Sequence, residues 1–467
     1  MLFKQIYDND LAQASYLIGC QASGEAVIID PRRDIQIYLN EAADNDLTIT
    51  AVSETHIHAD YLSGARELAA ATGAALYLSD EGSADWQYRF EHQGLRDGDR
   101  VDIGNVSLQV LHTPGHTPEH IAFLVTDGAT TDQPGFLLSG DFVFVGDLGR
   151  PDLLDEAAGA VDTRYPMARR LFTSLEEKFL SLPDYLQVWP GHGAGSACGK
   201  ALGAIPSSTV GYERRFAWWA SYLIGDDEAG FVEALLAGQP DAPAYFGRMK
   251  RWNRAGPPLL GRSPKLEHYQ GAALKGQLEQ GALLIDTRPA RAFAQGFVPG
   301  SLNIPVGSDF TNWAAWVIDP EAERRPLIVL AADSERAKVL RDKLQRVGID
   351  TVTGYTSNLT GLTLAKVGMV SPTELGALED PYILDIRTLG EYQEGHIPGA
   401  HQLHGGRVRW HLSELPQERP LVVHCRTGNR VAPVASLLRS VGFENVLELE
   451  GSYQGWQAQA ASGTPTG

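Results

Sequence analysis

The first part of the chain alternates short apolar runs with Gly, Asp and Pro. The runs 25–30, 47–52 and 106–111 are rich in the aliphatic and β-branched residues that favour strands. The stretch from Ser63 to Thr72 places small and apolar residues at helical spacing instead. This alternation predicts a layered α/β domain. The segment 212–256, rich in Trp, Arg and Ala, is predicted to be a helical region at the end of this domain, and a Pro- and Gly-rich linker follows it.

The rest of the chain contains an internal duplication. Residues 283–305 match 382–404 at an offset of 99, and the apolar run 326–331 matches 420–425 at an offset of 94. Each copy has the pattern of a small α/β domain. We therefore predict an α/β multi-domain protein with the following parts: a first domain over 1–245, a linker over 246–264, and two related domains over 265–366 and 367–467.

Length and composition agree with several folded domains. The chain has 467 residues, 43% of them hydrophobic and 21% charged, which is typical of globular protein. Its formal net charge of −19 disfavours nucleic acid and anionic membrane surfaces as partners. The chain lacks an apolar run of about 18 residues and does not begin like a signal peptide. We expect a cytoplasmic protein.

The chain has three cysteines, Cys20, Cys198 and Cys425. They are odd in number and widely spaced, which is the pattern of free thiols in a reducing compartment rather than of a disulfide framework. Two of them, Cys198 and Cys425, lie in segments that also carry candidate functional residues. The cysteines are therefore candidates for chemistry.

Four separated segments in the first domain place His or Asp residues at the end of an apolar run. A single histidine of this kind is usually a buried or surface side chain without a functional role. Together and in this order the segments resemble the metallo-β-lactamase superfamily, which implies a sandwich of two mixed sheets with outer helices and metal at one edge. The segments are His56-x-His58-x-Asp60, Gly115-His116, Gly140-Asp141 and Gly191-His192.

The superfamily includes hydrolases and dioxygenases, so the fold alone does not choose the reaction. Tyr61 stands where glyoxalase-type hydrolases have a histidine that helps to hold a second metal. A phenol is a poor ligand at neutral pH because its ordinary pKa is about 10. The sequence then most resembles the persulfide dioxygenases, which implies one Fe(II) per chain held by His56, His116 and Asp141, with open positions for a substrate sulfur and O2.

The remaining polar residues of these segments are expected near the metal. His58, Asp60 and His192 would orient the rings of the ligands and form hydrogen bonds with bound water or intermediates. Tyr61 either packs or points its hydroxyl towards substrate. Cys198 is either a small buried residue or a thiol that lines the persulfide site or carries sulfur.

Cys425 ends a β-branched strand and precedes a predicted helix that runs to Arg439. Backbone N–H groups and the positive end of a helix favour a thiolate or an anionic persulfide at such a position. The six-residue loop from Cys425 to Arg430 resembles the active-site loop of the rhodaneses. The resemblance implies a persulfide on Cys425 and roles for Arg426 and Arg430 in sulfur transfer.

The first copy differs at the decisive position. Ala331 stands where the second copy has Cys425, and acidic residues follow it at Asp333 and Glu335. This copy cannot form a persulfide, and its charge disfavours an anionic substrate. We expect an inactive rhodanese-like domain that spaces or docks its neighbours.

The order of domains resembles the bacterial persulfide dioxygenase-sulfurtransferases of sulfide detoxification. This implies that O2 oxidises a low-molecular-weight thiol persulfide, for example of glutathione or coenzyme A, to sulfite, and that Cys425 then transfers sulfur to sulfite to give thiosulfate. Two alternatives remain open: a zinc-dependent glyoxalase-type thioester hydrolase fused to a sulfurtransferase, and a sulfur-relay or scaffold module with a degenerate first domain. A homo-oligomer is the expected assembly.

Overall fold

A computed structural model describes residues 1–153, 155 and 163–462 of the chain. The protein divides into two compact units, Met1–Arg262 and Ser263–Gly467. Within the described ranges, none of the helices is both long enough and apolar enough to cross a membrane.

The first unit contains two mixed six-stranded sheets. In the first sheet the strands follow chain order: β1 (Leu2–Asp8), β2 (Gln13–Cys20), β3 (Glu25–Ile29), β4 (Thr48–Ser53), β5 (Ala75–Ser79) and β6 (Gln93–Leu95). The second sheet has the order β12-β11-β10-β9-β8-β7, with these bounds: β7 (Arg100–Ile103), β8 (Val106–His112), β9 (Ile121–Asp127), β10 (Phe136–Gly140), β11 (Gln187–Pro190) and β12 (Ser208–Thr209).

Helices cover the outer faces of the two sheets. They are α1 (Gln36–Asp44), α2 (Ala65–Thr72), α3 (Arg164–Ser174) with a π-helical turn at Leu175–Phe179, α4 (Val210–Phe216), α5 (Ala220–Ile224), α6 (Glu228–Leu236) and α7 (Phe246–Ala255), together with a 3-10 turn at Ala84–Trp86.

The burial of strand β3 shows how the layers form. Val27 and Ile29 belong to the core between the sheets, whereas Ala26 and Ile28 belong to the core beneath α1 and α2. Successive side chains of a strand point to opposite faces, so a strand buried on both faces reads as a continuous apolar run. The predicted sandwich of two mixed sheets between helices is confirmed.

Helix α7 lies within residues 246–264, the segment predicted as a linker. Met249 and Asn253 of this helix are buried within the first unit, and Arg248 and Lys250 are nearly so. Phe246 is buried as well, so the inner face of the helix combines apolar and polar side chains, and the helix lies within the helical segment expected over 212–256. The first unit continues to Arg262.

The second unit contains two five-stranded parallel sheets with the same topology. The first has the order β13-β17-β16-β14-β15 and the second has the order β18-β22-β21-β19-β20. Equal strand order in both sheets agrees with the duplication in the sequence. The strands are β13 (Glu267–His268), β14 (Leu283–Asp286), β15 (Leu302–Asn303), β16 (Leu327–Leu330), β17 (Val352–Thr356), β18 (Gly368–Val370), β19 (Tyr382–Asp385), β20 (His401–Gln402), β21 (Leu421–His424) and β22 (Val446–Leu449).

Helices connect the parallel strands of each copy, as crossover connections require. They are α8 (Gly271–Glu279), α9 (Ala290–Gln295), α10 (Phe310–Val317) and α11 (Ser334–Gln345) in the first copy, and α12 (Pro372–Leu375), α13 (Leu389–Glu394), α14 (Val431–Ser440) and α15 (Ser452–Ser462) in the second, which also has 3-10 turns at Val408–Trp410 and Leu412–Glu414.

The two copies contact each other within the second unit. The backbone N–H of Asn303 on β15 donates to the hydroxyl of Ser436 on α14 at 2.9 Å. The rings of Trp316 and His404 lie 5.1 Å apart, also across the two copies. The copy without a cysteine therefore supports the helix that follows Cys425.

Candidate metal centre and cysteine loop

Three potential metal ligands from separate loops meet at one edge of the sandwich. His56 follows β4, His116 follows β8 and Asp141 follows β10, and their ligand atoms all lie within 4.8 Å of one another. The Oδ2 atom of Asp141 is 3.5 Å from Nε2 of His116 and 3.9 Å from Nε2 of His56. The sequence predicted this group, and all three side chains are buried.

The surroundings hold both imidazole rings in a form that can bind metal. Nδ1 of His116 donates to the carbonyl of Arg150 at 2.9 Å, and Nδ1 of His56 contacts the hydroxyl of Thr55 at 2.9 Å. The Nε2 atom of each ring therefore remains available to coordinate a metal ion. Burial lowers the pKa of His116 to about 3, and burial together with neighbouring histidines lowers the pKa of His56. Neutral imidazole is the form that coordinates a metal ion.

The carboxylate of Asp141 fits a bound cation. Both of its oxygens are buried, and neither has a hydrogen-bond partner among the described residues. Burial, opposed by the charge of His192 and assisted by that of Asp60, raises the pKa of Asp141 to about 6. A buried anion without donors is costly unless a cation pairs with it. The residues present therefore suit a divalent metal.

A second group of potential ligands adjoins the first. Asp60, His192 and Cys198 also place their ligand atoms within 4.8 Å of one another. Nε2 of His192 lies 3.5 Å from Oδ2 of Asp60 and 3.6 Å from Oδ1 of Asp141. Cys198 is thus both buried and part of the centre, and burial followed by the charges of Asp141 and Asp60 raises the pKa of its thiol. The sequence did not predict that Cys198 completes a second donor set.

Tyr61 and His58 are organised around Asp30. The hydroxyl of Tyr61 donates to the carbonyl of Asp30 at 3.2 Å and accepts from the amide of Gln13 at 3.3 Å. Nε2 of His58 lies 3.1 Å from the Asp30 carboxylate. Burial lowers the pKa of His58, but the carboxylate of Asp30 outweighs it and raises the pKa to about 9. Of the two alternatives for Tyr61, the contacts favour packing.

Asn253 is a supporting residue that the sequence did not reveal. From helix α7 its amide donates to the carbonyls of His58 and Tyr61 at 2.8 and 2.7 Å, and its oxygen accepts from the N–H of Ser63 at 2.9 Å. Tyr245, just before α7, donates its hydroxyl to the carbonyl of Asp60 at 3.0 Å. The His-x-His-x-Asp loop is therefore held by residues nearly 200 positions away, which no local pattern indicates.

His120 supports Asp141 from behind. Its Nε2 accepts from the N–H of Asp141 at 3.0 Å, and its Nδ1 lies 2.8 Å from the hydroxyl of Thr113. Both ring nitrogens are therefore engaged, which leaves His120 without a lone pair for a metal.

Cys425 lies at the carboxyl end of β21, where the predicted loop begins. Its Sγ accepts from the N–H of Gly428 at 3.1 Å, and its side chain is fully buried. The first turn of α15 holds the loop from the other side, because the N–H groups of Tyr453 and Gln454 donate to the carbonyls of Cys425 and Arg426 at 3.0 Å each.

The two arginines of the loop have different surroundings. Arg430 forms two hydrogen bonds with the carboxylate of Glu391, of 2.8 and 2.7 Å. Arg426 lines a surface pocket of about 160 Å³ together with Arg387 and Gln454. Arg426 is exposed at this pocket, which Glu391 and Glu394 also line, whereas Arg430 is held by a partner that the sequence did not predict.

The first rhodanese-like copy has a closed loop at the same place. The N–H of Ala331 donates to the carbonyl of Thr356 at 2.8 Å, which extends the sheet through this residue. The side chain of Asp333 then accepts from the N–H of Arg336 and caps α11. The N–H groups of Ala331 and Arg336 are therefore both bonded within the first copy itself.

Comparison with known proteins agrees with this architecture. Residues 8–192 match the metallo-beta-lactamase superfamily, and residues 271–361 and 371–459 each match the rhodanese-like domain. A solved metallo-beta-lactamase structure from Staphylococcus aureus is 41% identical to this chain, covers 76% of it and 98% of its own length, and has a TM-score of 0.66.

Curated relatives of the first domain include proteins with two different reactions. The persulfide dioxygenase ETHE1 of Bos taurus mitochondria is 28% identical over 200 residues, which are 41% of this chain and 68% of the relative. A hydroxyacylglutathione hydrolase of a Polaromonas species is 34% identical over 194 residues, which are 41% of this chain and 66% of the relative.

Fold, donor residues and cysteine loop together define a metal-binding α/β protein with rhodanese-like domains. The chain belongs to the metallo-beta-lactamase superfamily, and its superfamily domain is followed by two rhodanese-like domains. It has relatives among the persulfide dioxygenases.

Proposed function

We propose that the protein is a persulfide dioxygenase and sulfurtransferase. Its first centre oxidises the persulfide of a low-molecular-weight thiol, such as glutathione or coenzyme A, to sulfite with O2. Its second centre transfers a further persulfide sulfur to that sulfite and forms thiosulfate. The proposed setting is sulfide detoxification in the cytoplasm, with domains at 1–245, 265–366 and 367–467.

One observation carries this proposal. A buried group of two histidines and one aspartate and a cysteine loop of rhodanese type occur in the same chain. The first group suits Fe(II), because two imidazoles and one carboxylate leave coordination positions open. The second suits a sulfur-carrying cysteine, because the backbone N–H of Gly428 donates to Sγ. The two chemistries share sulfite as product and substrate.

The residues of the first centre would bind the metal ion and orient the substrate beside it. An Fe(II) ion held by His56, His116 and Asp141 would supply the oxidation of the persulfide sulfur by O2. His192, with Nε2 3.5 Å from the Asp60 carboxylate, can hold a proton beside the developing sulfite. The thiol of Cys198 adjoins these two residues and contributes to the surface on which a persulfide sulfur would rest.

The second centre works by exchange at sulfur. The Cys425 thiolate attacks the outer sulfur of a persulfide, the bond to the donor sulfur breaks, and the donor leaves as a thiol. Sulfite then attacks the outer sulfur on Cys425, and thiosulfate leaves while the electron pair returns to Sγ. Arg426 lines the adjacent pocket and is placed to attract the anionic substrates.

Oxygen uptake tests the first half of the proposal. Protein purified without oxygen should contain about one iron per chain and consume O2 with glutathione persulfide or coenzyme A persulfide. His56→Ala should lose both iron and uptake. His112→Ala is the matched control, because this half-buried histidine binds the carbonyl of Pro118 outside the donor group. Iron-replete protein that consumes no O2 would contradict the proposal.

Product analysis tests the second half. Cys425→Ser should shift the product from thiosulfate to sulfite without a change in O2 uptake. Cys20→Ser is the matched control, since Cys20 is a buried thiol outside both centres and accepts from the N–H of Asn105. An unchanged ratio of thiosulfate to sulfite in Cys425→Ser would refute transfer at this residue.

The second donor group supports one alternative function. Asp60, His192 and Cys198 complete a set beside the first, and two metals would suit a zinc-dependent glyoxalase-type thioester hydrolase fused to a sulfurtransferase. Metal analysis separates the two functions. Two zinc ions per chain and hydrolysis of S-acylglutathione without O2 would establish the hydrolase.

A further inference from the structure

Ser452 lies directly behind the cysteine loop in an unusual backbone conformation. It begins helix α15, its side chain is fully buried, and its φ is +53°. Residues other than Gly, Asn and Asp seldom adopt this left-handed region, because Cβ approaches the backbone. Such a conformation is retained only where the surroundings impose it, and it is common at functional sites.

The hydroxyl of Ser452 contacts two atoms of Cys425. Its oxygen accepts from the Cys425 N–H at 3.3 Å and lies 3.9 Å from Sγ. Because the oxygen already accepts one hydrogen bond, its own hydrogen is available to an acceptor. Sγ at 3.9 Å is within reach of a hydrogen bond to sulfur. With the N–H of Gly428 at 3.1 Å, Sγ then faces two donors.

The copy without a cysteine lacks this contact. Asn358 holds the position of Ser452, at the same offset of 94 that relates Ala331 to Cys425. The N–H of Ala331 donates to the strand carbonyl of Thr356 instead. In the second copy, by contrast, the hydroxyl of Ser452 contacts both the N–H and the Sγ of Cys425.

We propose that the Ser452 hydroxyl donates a hydrogen bond to Sγ of Cys425 when that sulfur becomes a thiolate. The inference rests on the proposed sulfur transfer at Cys425. When sulfite attacks the outer sulfur of the persulfide, the S–S bond to Sγ breaks and its electron pair stays on Sγ. A donor aimed at the place where charge develops lowers the barrier of this step. Ser452 is then a catalytic residue of the transfer.

Single-turnover discharge of the loaded protein tests this role. The full-length protein is loaded with thiosulfate, its Cys425 persulfide is verified by mass spectrometry, and its discharge to sulfite is timed. Ser452→Ala removes the hydroxyl and keeps the Cβ, whereas Ser452→Gly also relieves the backbone conformation. We expect both variants to discharge about tenfold more slowly, as the loss of one hydrogen bond in the transition state would give.

Two further measurements separate this role from a structural one. Ser452→Gly should unfold at the same or a higher temperature than wild type, because glycine accepts a positive φ without strain. In both variants the pH–rate profile for alkylation of Cys425 should move to higher pH by about one unit. Ser440→Ala, which removes a hydroxyl bound to the carbonyl of Leu437, is the matched control and should change neither rate.

The outcomes distinguish failure of this inference from failure of the proposed function. Discharge of Ser452→Gly at the wild-type rate, with an unshifted alkylation profile, overturns the role of Ser452 and leaves the transfer intact. Slow discharge in Ser452→Ala alone also overturns it, because the backbone rather than the hydroxyl is then responsible. Wild-type protein that takes up no sulfur on Cys425 overturns the transfer and the role together.

Discussion

The guanidinium of Arg430 is paired with the carboxylate of Glu391 through two hydrogen bonds of 2.8 and 2.7 Å. Glu391 also accepts from the N–H of Thr388 at 3.2 Å and completes the capping box of α13. One carboxylate thus joins the end of the cysteine loop to the start of a neighbouring helix. Bidentate pairs of this kind fix geometry as well as charge.

Glu391→Gln should lower the free energy of unfolding by about 1 kcal/mol at pH 7, because the pair is partly exposed and screened by solvent. Burial raises the pKa of Glu391, but the hydrogen bonds and charge of Arg430 outweigh it and lower the pKa to about 2, from an ordinary value of 4.5. A depressed pKa gives stability that is complete above about pH 4.5 and is lost as the pH falls towards 2.

The pH dependence of thermal unfolding checks this prediction. The difference between wild type and Glu391→Gln should stay constant from about pH 7 to 5 and shrink below about pH 4.5. Glutamine retains a carbonyl oxygen for the N–H of Thr388, so the helix cap remains in the variant. A difference that is as large at pH 3 as at pH 7 would contradict the assignment of the effect to the charged pair.

Asn253→Ala should destabilise the first unit by about 3 kcal/mol and weaken metal binding. The substitution leaves the carbonyls of His58 and Tyr61 and the N–H of Ser63 without partners in a buried place, each at a cost of about 1 kcal/mol or more. Calorimetry and metal titration measure the two effects. Asn45→Ala, which removes a local contact with Glu41, is the control and should change metal affinity little. Equal metal affinity in Asn253→Ala would show that the loop does not depend on it.

Asp141→Asn should make the metal-free protein more stable by roughly 1–2 kcal/mol while it removes the stabilisation by metal. Without a cation, the wild-type carboxylate is buried, has no hydrogen-bond partner within the described part of the chain, and lies near Asp60. Bound metal stabilises only a protein that can hold it. Unfolding temperatures with and without Fe(II) measure both effects. A variant that is less stable than wild type in the absence of metal would refute this account.

Tyr61→Phe should cost about 1 kcal/mol of stability and leave metal content and turnover unchanged. The hydroxyl is bonded to the carbonyl of Asp30 and the amide of Gln13, so its loss removes structural hydrogen bonds. Chemical unfolding, metal analysis and O2 uptake measure the three quantities. A large loss of uptake at unchanged metal content would instead indicate contact between Tyr61 and substrate.

Ala331→Cys should not give the first copy a sulfur-carrying loop. The N–H of Ala331 is bonded to the carbonyl of Thr356, and the following residues cap α11 through Asp333. In the second copy the N–H of Gly428 donates to Sγ, whereas Ser334, at the matching position of the first copy, begins the capped helix α11. We therefore expect a thiol at position 331 to hold an anionic persulfide poorly. Mass spectrometry after thiosulfate treatment, in a Cys425→Ser background, is the measurement. A stable persulfide on the introduced cysteine would show that the first copy lacks only the cysteine side chain and that its loop can carry sulfur.

The sequence by itself determined the layered fold and the duplication, and its resemblance to known families predicted the residues of both candidate centres. His56, His116 and Asp141 each follow a strand in a short segment with its own signature, and Cys425 opens a contiguous loop. Such features are readable because strands and their terminal loops are local. The structure places the first three together at one sandwich edge.

Only the tertiary structure decided what surrounds those residues. Asn253 holds a loop nearly 200 positions away, Glu391 holds Arg430 across 39 positions, and Ser452 lies behind Cys425 from a later helix. These partners come from the packing of distant segments, and their residue types are ordinary in their own local context. The physical reason is that the buried polar groups of a centre form hydrogen bonds with residues that the fold brings close in space. Local sequence patterns do not encode which distant residues these are.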